Sequence, residues 1–302
     1  MKIINFGSLN IDKVYNVAEF VQPGQTILAK NHETFAGGKG LNQSLAAARA
    51  GATVLHGGVI GPDGTFLAEL LQAAGADASH LQILDQPSGH AIIEVNAQGQ
   101  NRIIVYGGTN RMLTQAYIDR IMAHGEPGDF VLLQNETNLI ERIIHKGHEK
   151  GMRVVFNPSP MPRDLAALPL ALVDVFMVNE MEAGQLAGTA PQTAFEVTCA
   201  ALQERYPQAA IVMTLGSSGV LYSAAGRQCA HPGFPVTVVD TTAAGDTFCG
   251  YFLAACCAGK CVETALREAS AAAAIVVSHP GAAPSIPVYT QVQAFLDAQS
   301  CV

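Results

Sequence analysis

The chain has 302 residues, of which 49% are hydrophobic and 14% are charged, and it contains 29 glycines. This composition excludes a disordered chain and indicates a large α/β core with many tight turns. The formal net charge of −8, with no basic run in the sequence, argues against a protein that binds nucleic acid or acidic membranes.

Two features of the sequence bear on where the protein resides. Residues 1–7 are too few and too polar for a signal peptide, and the apolar residues 269–277 are too few to span a membrane. The seven cysteines contain no Cys-x-x-Cys pair. Those near residues 249–261 are predicted to be small core residues, with zinc ligation as the minor alternative. We therefore expect the reducing cytoplasm.

The first predicted strand, residues 3–6, is apolar and ends at Gly7. Asn10 and Asp12 follow it, and such residues are typical turn formers. They also lie at the carboxyl end of a strand, which is where α/β sheets bind ligands. A carboxylate there can accept two hydrogen bonds from neighbouring sugar hydroxyls. Both interpretations stay open on these residues alone.

A glycine-rich loop, Ala-Gly-Gly-Lys-Gly-Leu-Asn-Gln at residues 36–43, leads into an alanine-rich helix. Paired glycines at a helix start let a ligand approach the backbone closely. The loop is not a P-loop, because Gly40 follows Lys39 where Ser or Thr is required. It is not a Rossmann fingerprint either, because Gln43 stands at the last glycine position. Taken alone, Lys39 is also compatible with a solvated loop lysine.

A small second sheet is predicted from three segments. Residues 26–35 are extended and mostly polar, and residues 91–95 and 102–106 flank a turn that contains glycine. A sheet of this size has no core of its own, so it must cover a ligand or a partner subunit. We expect a lid whose strands lie within about residues 12–36 and 89–107.

The rest of the chain alternates between predicted strands and helices. This alternation is typical of right-handed βαβ units, which build a mostly parallel sheet covered by helices on both faces. The sequence has no internal repeat and no low-complexity linker. We therefore predict one α/β domain over residues 1–302, with the lid attached to it.

Polar residues follow four of the predicted strands. Each group alone is more typical of a turn or a helix cap. Four groups at one edge of a parallel sheet predict a ligand cleft at that edge. The groups are Gln134-Asn135-Glu136, Asn157-Pro158, residues 179–182 and residues 214–219.

The most informative stretch is residues 240–248, Asp-Thr-Thr-Ala-Ala-Gly-Asp-Thr-Phe. A β-branched run before it, residues 236–239, predicts a strand, and residues 250–258 after it predict a helix. Ala243, Ala244 and Gly245 thus fall at a helix start, where unpaired amides favour an anion such as phosphate. Asp246 is a candidate base for a hydroxyl that attacks phosphorus, unless it only caps the helix.

Two strings resemble the signatures of a known family. Residues 240–248 resemble the C-terminal signature D-T-x-x-A-G-D-x-F of the ribokinase-like (PfkB) carbohydrate kinases, and residues 37–42 resemble their N-terminal signature G-G-K-G-x-N. The resemblance implies a ribokinase-like three-layer α/β/α fold with a small β-sheet lid, and Asp246 as the catalytic base. It implies sugar contacts for Asn10, Asp12, Gly38, Lys39, Asn42, Glu136 and Asp246.

The resemblance also implies sites for ATP, Mg²⁺ and K⁺. Asn179 and Glu182 match a motif, N-x-x-E, that helps to hold magnesium and the phosphates. The nucleotide segment T-x-G-x-x-G corresponds to Thr214, Gly216, Ser217 and Gly219. A potassium site built largely from main-chain oxygens corresponds to Asp240, Thr242, Val276, His279, Gly281 and Ser285, although His279-Pro280 departs from the usual basic pair.

We therefore expect ATP-dependent transfer of the γ-phosphoryl group to a primary hydroxyl of a small sugar, with D-ribose as the leading candidate. One alternative is a kinase of another substrate of the family, such as a nucleoside, a keto or deoxy sugar or a sugar acid. Others are a catalytically silent sugar or nucleotide sensor on this fold, and a dinucleotide-dependent oxidoreductase, which the failed fingerprint disfavours. The expected partners are the sugar, ATP and a second copy of the chain bound through the lid, with no nucleic acid and no membrane.

Overall fold

A computed structural model describes residues 1–162 and 164–300, so Cys301 lies outside the described residues. Within them the chain forms fourteen β-strands and nine α-helices. The strands are β1 (Ile3–Phe6), β2 (Asn10–Asn16), β3 (Asn31–Gly37), β4 (Val54–Gly57), β5 (Val59–Ile60), β6 (Gln82–Ile83), β7 (Gly89–Val95), β8 (Asn101–Tyr106), β9 (Phe130–Gln134), β10 (Arg153–Asn157), β11 (Val175–Asn179), β12 (Ala210–Thr214), β13 (Val220–Ala224) and β14 (Arg227–His231). The helices are α1 (Lys39–Arg49), α2 (Thr65–Ala73), α3 (Gln115–Met122), α4 (Ile140–Glu149), α5 (Glu180–Ala187), α6 (Phe195–Arg205), α7 (Ala244–Cys257), α8 (Val262–Val277) and α9 (Tyr289–Ser300).

Eight strands form one large sheet in the order β14-β13-β12-β11-β10-β9-β1-β4. Neighbours from β12 to β4 run parallel, whereas β12, β13 and β14 pair in antiparallel fashion. Parallel strands are buried on both faces and are therefore apolar along their length. All five residues of β9 are buried, for example. The predicted mostly parallel α/β fold is confirmed.

Helices cover both faces of this sheet because successive side chains of a strand point to opposite sides. Ile3 of β1 packs in one core with Leu45 of α1 and Phe252 of α7. The next residue, Ile4, packs in the other core with Ile118 of α3 and Ile143 of α4. The result is the predicted three-layer order, in which the sheet lies between two layers of helices.

Four strands form the second sheet, in the order β3-β2-β7-β8. The central pair, β2 and β7, is parallel, and both outer pairs are antiparallel. All six residues of the edge strand β8 are exposed, although four of them, Ile103 to Tyr106, are apolar or aromatic. We call this second sheet the lid sheet; it carries an apolar edge strand in contact with solvent.

The strand predicted at residues 236–239 is wrong. These residues form an irregular segment after β14, the last strand of the large sheet, and Val238 and Val239 are 60% and 58% exposed. The amides of Val239 and Asp240 donate to the carbonyl of Val277 at the end of α8. Preference of β-branched residues for strands reflects packing on a pleated surface, and this segment has no such surface to join.

In the described ranges, no helix combines the length and the apolar character that crossing a membrane requires.

Candidate active site

The carboxyl ends of the central strands lie together, as predicted. Gln134 of β9 is opposite Asn157 of β10, and Asn179 of β11 is opposite Thr214 of β12. A cavity of about 230 Å³ lies at this edge, and we call it the reaction cavity. Its lining comes from the starts of α1 and α7 and from the strand ends, and it includes Lys39, Asn157, Asn179, Glu182, Thr214, Ala243, Ala244, Gly245 and Asp246.

The glycine-rich loop packs directly on the turn after β1. A Cβ on Gly38 would lie 2.9 Å from the carbonyl oxygen of Ser8, and a Cβ on Gly40 would lie 2.3 Å from Cα of Gly7. Gly38 also has a φ of 97°, which favours glycine. The amide of Leu41 donates to the Ser8 carbonyl at 2.9 Å. The glycines therefore let α1 begin next to β2, where Asn10 is located.

Asp246 lies in the first turn of α7 and is 8% exposed. Its Oδ2 accepts a hydrogen bond from Asn42 Nδ2 at 3.2 Å, and its Oδ1 accepts one from Gln43 Nε2 at 2.9 Å. The charge of Asp246 is the largest cause of a raised pKa at Lys39, which shares the reaction cavity. The acid and the glycine-lysine turn, far apart in sequence, thus form one site.

Helices α1 and α7 meet backbone to backbone beside this site. A Cβ on Gly250 would lie 2.5 Å from Cβ of Ala46 and 2.7 Å from the carbonyl oxygen of Gln43. Glycine is therefore required at position 250 for this approach.

Two further carboxyl groups face the glycine-rich loop from the other side. Burial, together with the charge of Glu136, raises the pKa of Asp12 to about 7. Burial also raises the pKa of Glu136, although Ser8 Oγ and the amide of Lys39, at 3.0 Å, donate to its carboxylate. Asp12 also lies against the backbone of Gly37, where a Cβ would clash with its carboxylate. These positions suit acceptors for the hydroxyls of a polyol.

Sequence reasoning missed Asn110, which is 2% exposed. Its Nδ2 donates to Asn10 Oδ1 at 2.7 Å, and its Oδ1 accepts from the amide of Leu9 at 2.9 Å. Asn110 therefore holds Asn10 in place. The signal available in the sequence was Gly107-Gly108 after β8, since Gly108 has a φ of 49° and starts the tight turn.

The start of α7 supplies amides to the reaction cavity. The first intrahelical donor is Thr247, whose amide bonds to the Ala243 carbonyl at 2.8 Å. The amide of Ala244 donates to the Thr241 carbonyl at 3.3 Å. Apart from its two chain neighbours and the backbone of its own helix, Gly245 has no heavy atom within 4 Å of where its Cβ would stand, so a ligand can approach it. Of the three residues predicted for anion binding, Gly245 is the most open, and the amide of Asp246 is a further candidate.

A second cavity of about 510 Å³, which we call the apolar cavity, adjoins the first through Thr214, Thr241, Ala244, Gly245 and Phe248. All four residues of the predicted nucleotide segment line it. The lining that sequence reasoning missed consists of Gly233, Phe234, Pro235, Val236, Val238, Ser270, Ala273, Ala274 and Val277. The last four are spaced i, i+3, i+4, i+7, so they form one face of α8, which is a readable signal.

Asn179 and Glu182 form a capping box at the start of α5. Glu182 accepts from the amide of Asn179 at 3.0 Å and its own amide donates to Asn179 Oδ1 at 2.8 Å. Glu182 nevertheless lines the reaction cavity and adds to the raised pKa of Lys39. Within residues 1–162 and 164–300, no cluster of three or more His, Cys, Asp or Glu side chains could hold a metal ion.

The residues predicted for a monovalent cation are brought together only in part. Asp240 links two of them, since its Oδ1 accepts from the amide and hydroxyl of Thr242 and its Oδ2 accepts from the amide of Gly281 at 2.9 Å. Ser285 Oγ donates to the Gly281 carbonyl at 2.5 Å. The Val276 carbonyl instead accepts from the amide of His279 at 3.0 Å, at the end of α8, and His279 is exposed.

Comparison with known proteins agrees with this geometry. A model of the pfkB family of carbohydrate kinases matches residues 1–288. A ribokinase of Haemophilus influenzae is 36% identical over 299 residues, which cover 96% of this chain and 97% of the relative. A deoxyribokinase of Salmonella typhimurium is 30% identical over 303 residues, covering 98% and 99%.

A solved structure of a ribokinase is also similar to this chain over nearly its whole length. The structure of Arabidopsis thaliana ribokinase complexed with ribose and ATP superposes with a TM-score of 0.86 at 30% identity, covering 98% of each chain.

Proposed function

The chain belongs to the pfkB family of carbohydrate kinases, and from this membership we propose that it transfers the γ-phosphoryl group of ATP to the primary hydroxyl of D-ribose. The observation that carries the proposal is Asp246, a buried carboxylate at a helix start, in one cavity with Lys39. Two comparisons support ribose as the substrate. A relative named ribokinase is similar to this chain over nearly its whole length, and a similar structure was solved with ribose and ATP.

In this mechanism the residues around the glycine-rich loop position the sugar. They are Asn10, Asp12, Gly38, Lys39, Asn42 and Glu136. Asp246 accepts the proton of the attacking hydroxyl as the oxygen–phosphorus bond forms and the bond to the leaving ADP breaks. Lys39 and the amides at the start of α7 stabilise the charge on the transferred group. The lid sheet closes over the sugar and excludes water.

Two metal ions complete the proposal. Glu182 would hold Mg²⁺ through water, and this fits because Mg²⁺ retains several waters and needs only one or two carboxylates beside the phosphates. Bound there, the ion would neutralise phosphate charge. The main-chain oxygens near Asp240, Gly281 and Ser285 would hold K⁺. Measuring turnover in potassium-free buffer, and again after adding K⁺, tests this site: unchanged turnover would remove potassium from the proposal.

A coupled ADP-release assay over a panel of sugars and nucleosides tests the substrate. We expect D-ribose to give the highest kcat/KM. A higher value for 2-deoxyribose, which the deoxyribokinase relative makes the second candidate, would change the substrate but not the chemistry. Binding of a sugar without turnover of any substrate would instead indicate a silent sensor.

The Asp246→Asn variant tests the base. The amide keeps the size of the side chain but cannot accept the proton, so kcat should fall by about 10²-fold or more. Calorimetry should show that ribose still binds. A kcat near that of the unmodified protein would remove Asp246 from this role.

We also propose a homodimer that forms through the lid sheet. Ile104 of β8 is 68% exposed, and Ile103 and Val105 beside it are 54% and 60% exposed. An apolar edge strand of this kind is typically covered by another chain. Light scattering should show a dimer that Ile104→Lys shifts to monomer, whereas Ile83→Lys, at a 57% exposed position outside this sheet, should not. A cytoplasmic location stays a prediction.

A further inference from the structure

A chain of buried polar side chains runs through the core behind Asp246. Each member is at most 1% exposed, so none of them is positioned to touch a substrate. Polar groups are costly to bury unless they are hydrogen-bonded. In order, the members are His56, Ser44, Asn5, Gln134 and Gln43, and Gln43 contacts Asp246.

We propose that Gln43 is a positioning residue that aims the Asp246 carboxylate at the acceptor hydroxyl. The inference rests on the proposed role of Asp246 as the base. Gln43 Nε2 holds Oδ1 at 2.9 Å while Asn42 Nδ2 holds Oδ2 at 3.2 Å, so the plane of the carboxylate is fixed from both ends. Gln43 is 0% exposed, so it acts on the reaction cavity through the residues that it contacts there, and Asp246 is the nearer of them.

The hydrogen-bonding neighbours of Gln43 fix the orientation of its side-chain amide. Its Oε1 accepts from Gln134 Nε2 at 2.6 Å and lies 3.7 Å from Cys249 Sγ. A flipped amide would put Oε1 against the carboxylate of Asp246 and Nε2 against the donor of Gln134. The structure thus leaves Nε2 facing Asp246, where it also lies 3.3 Å from Asn157 Oδ1.

The other side chains of this hydrogen-bonded row fix the orientation of the Gln134 side chain. Its Nε2 also donates to Asn5 Oδ1 at 3.1 Å, and Asn5 Nδ2 donates to Ser44 Oγ at 2.8 Å. Ser44 Oγ therefore has its own proton available for His56 Nδ1, 2.8 Å away. His56 then carries its proton on Nε2, which is 3.2 Å from the Gly7 carbonyl.

His56 is neutral at physiological pH, because burial lowers its pKa to about 4. A neutral ring with one tautomer keeps Ser44 as the donor to His56. The donors therefore run outward from Gln134, through Asn5 toward His56 on one side and through Gln43 toward Asp246 on the other. Flipping Gln134 would bring its oxygen against two acceptors, on Asn5 and Gln43. The present orientation is kept even though Gln134 Oε1 finds no partner among the described residues.

Replacing Gln43 with methionine tests the inference. Gln43→Met keeps the length of the side chain but cannot donate to Asp246. Because a misaimed base costs rate rather than affinity, kcat should fall by about 10-fold or more, with the KM for the sugar changed by less than about twofold. In the Asp246→Asn background the same replacement should cause no further loss of kcat, since the two residues act as one unit. An additive loss, or a change in KM alone, would overturn the proposal.

A second variant, Gln43→Glu, gives a readout that a purely structural role would not move. It places a negative charge beside Asp246, so the acidic limb of the kcat profile should move to higher pH. The other titratable groups facing Asp246 are Lys39 of α1, Glu136 after β9 and Cys249 of α7, and all are retained. An unmoved limb would contradict the inference.

The two failures are distinguishable. If the unmodified protein phosphorylates no sugar, the proposed function fails. If it does, and Asp246→Asn is inactive while both Gln43 variants keep the kcat and pH profile of the unmodified protein, only the positioning role fails.

Discussion

The two cavities of the site differ in what lines them. The reaction cavity is lined mostly by polar and charged side chains, such as Lys39, Asn157 and Asp246. The apolar cavity is lined by glycines and by small or apolar residues such as Ala273 and Val277. Under the proposed function, particular side chains would select the sugar hydroxyls, whereas the shape of the apolar cavity would select the nucleotide base.

The largest effect is expected from removing the positive charge of Lys39 in the reaction cavity. Lys39→Met leaves the carboxylates of Asp246, Glu136 and Glu182 without the positive charge that they share. We expect kcat to fall by about 10²-fold, because a preorganised charge at the transferred group is lost. The matched control is Lys146→Met on α4, where Lys146 pairs with Asp119 at 3.1 Å. Equal losses in the two variants would show that the effect is not local.

Binding in the apolar cavity should depend only on the shape of its lining. Ala273→Leu adds volume to the face of α8 that lines the apolar cavity. We expect the KM for ATP to rise about 10-fold, since overpacking costs roughly 1–3 kcal/mol, with the KM for the sugar unchanged. Ala200→Leu, at an exposed position of α6, is the control. If instead the KM for the sugar rose, the two cavities would not be separate in function.

The smallest expected effect is a pH dependence of the KM for the sugar. Hydroxyls bind best to ionised Asp12, whose pKa in the unliganded protein is about 7. The ionised fraction rises about tenfold from pH 6 to pH 8, so the KM for the sugar should fall by up to that factor. The KM for ATP should not follow it. In Asp12→Asn the dependence should disappear; its persistence would assign the titration to another group.

The same shift affects the stability of the unliganded protein in the opposite direction. The folded pKa of Asp12 is above the ordinary value, so its contribution to folding is full below about pH 4 and is lost as the pH rises to about 7. Thermal unfolding without sugar should therefore show a stabilising contribution at low pH that Asp12→Asn lacks.

The sequence predicted the residues around the glycine-rich loop well, because the chemistry of this region depends on residue type. Lys39, Asn42 and Asp246 lie together in the structure as their motifs indicated. Their individual roles stay predictions. The parallel sheet with helices on both faces was also readable, from alternation of strands and helices.

What the sequence could not provide depends on contacts distant in the chain. The β-branched residues 236–239 suggested a strand, but no strand edge receives them. Gly107-Gly108 marks the turn that carries Asn110, but no local pattern indicates that Asn110 pairs with Asn10, a hundred positions away. The polar chain behind Gln43 likewise joins α1, β1, β4 and β9, which only tertiary structure brings together.

The close approach of α1 and α7 at Gly250 limits which parts of the protein can move. With no side chain at Gly250 and only a methyl group at Ala46, the two backbones pack closely, so we expect Asp246 on one helix and Lys39 on the other to move together. Under the proposed function, we therefore expect entry and exit of substrates to depend on movement of the lid sheet. Any larger residue at position 250 would separate the acid from the lysine, and would thus impair turnover from a place that no substrate reaches.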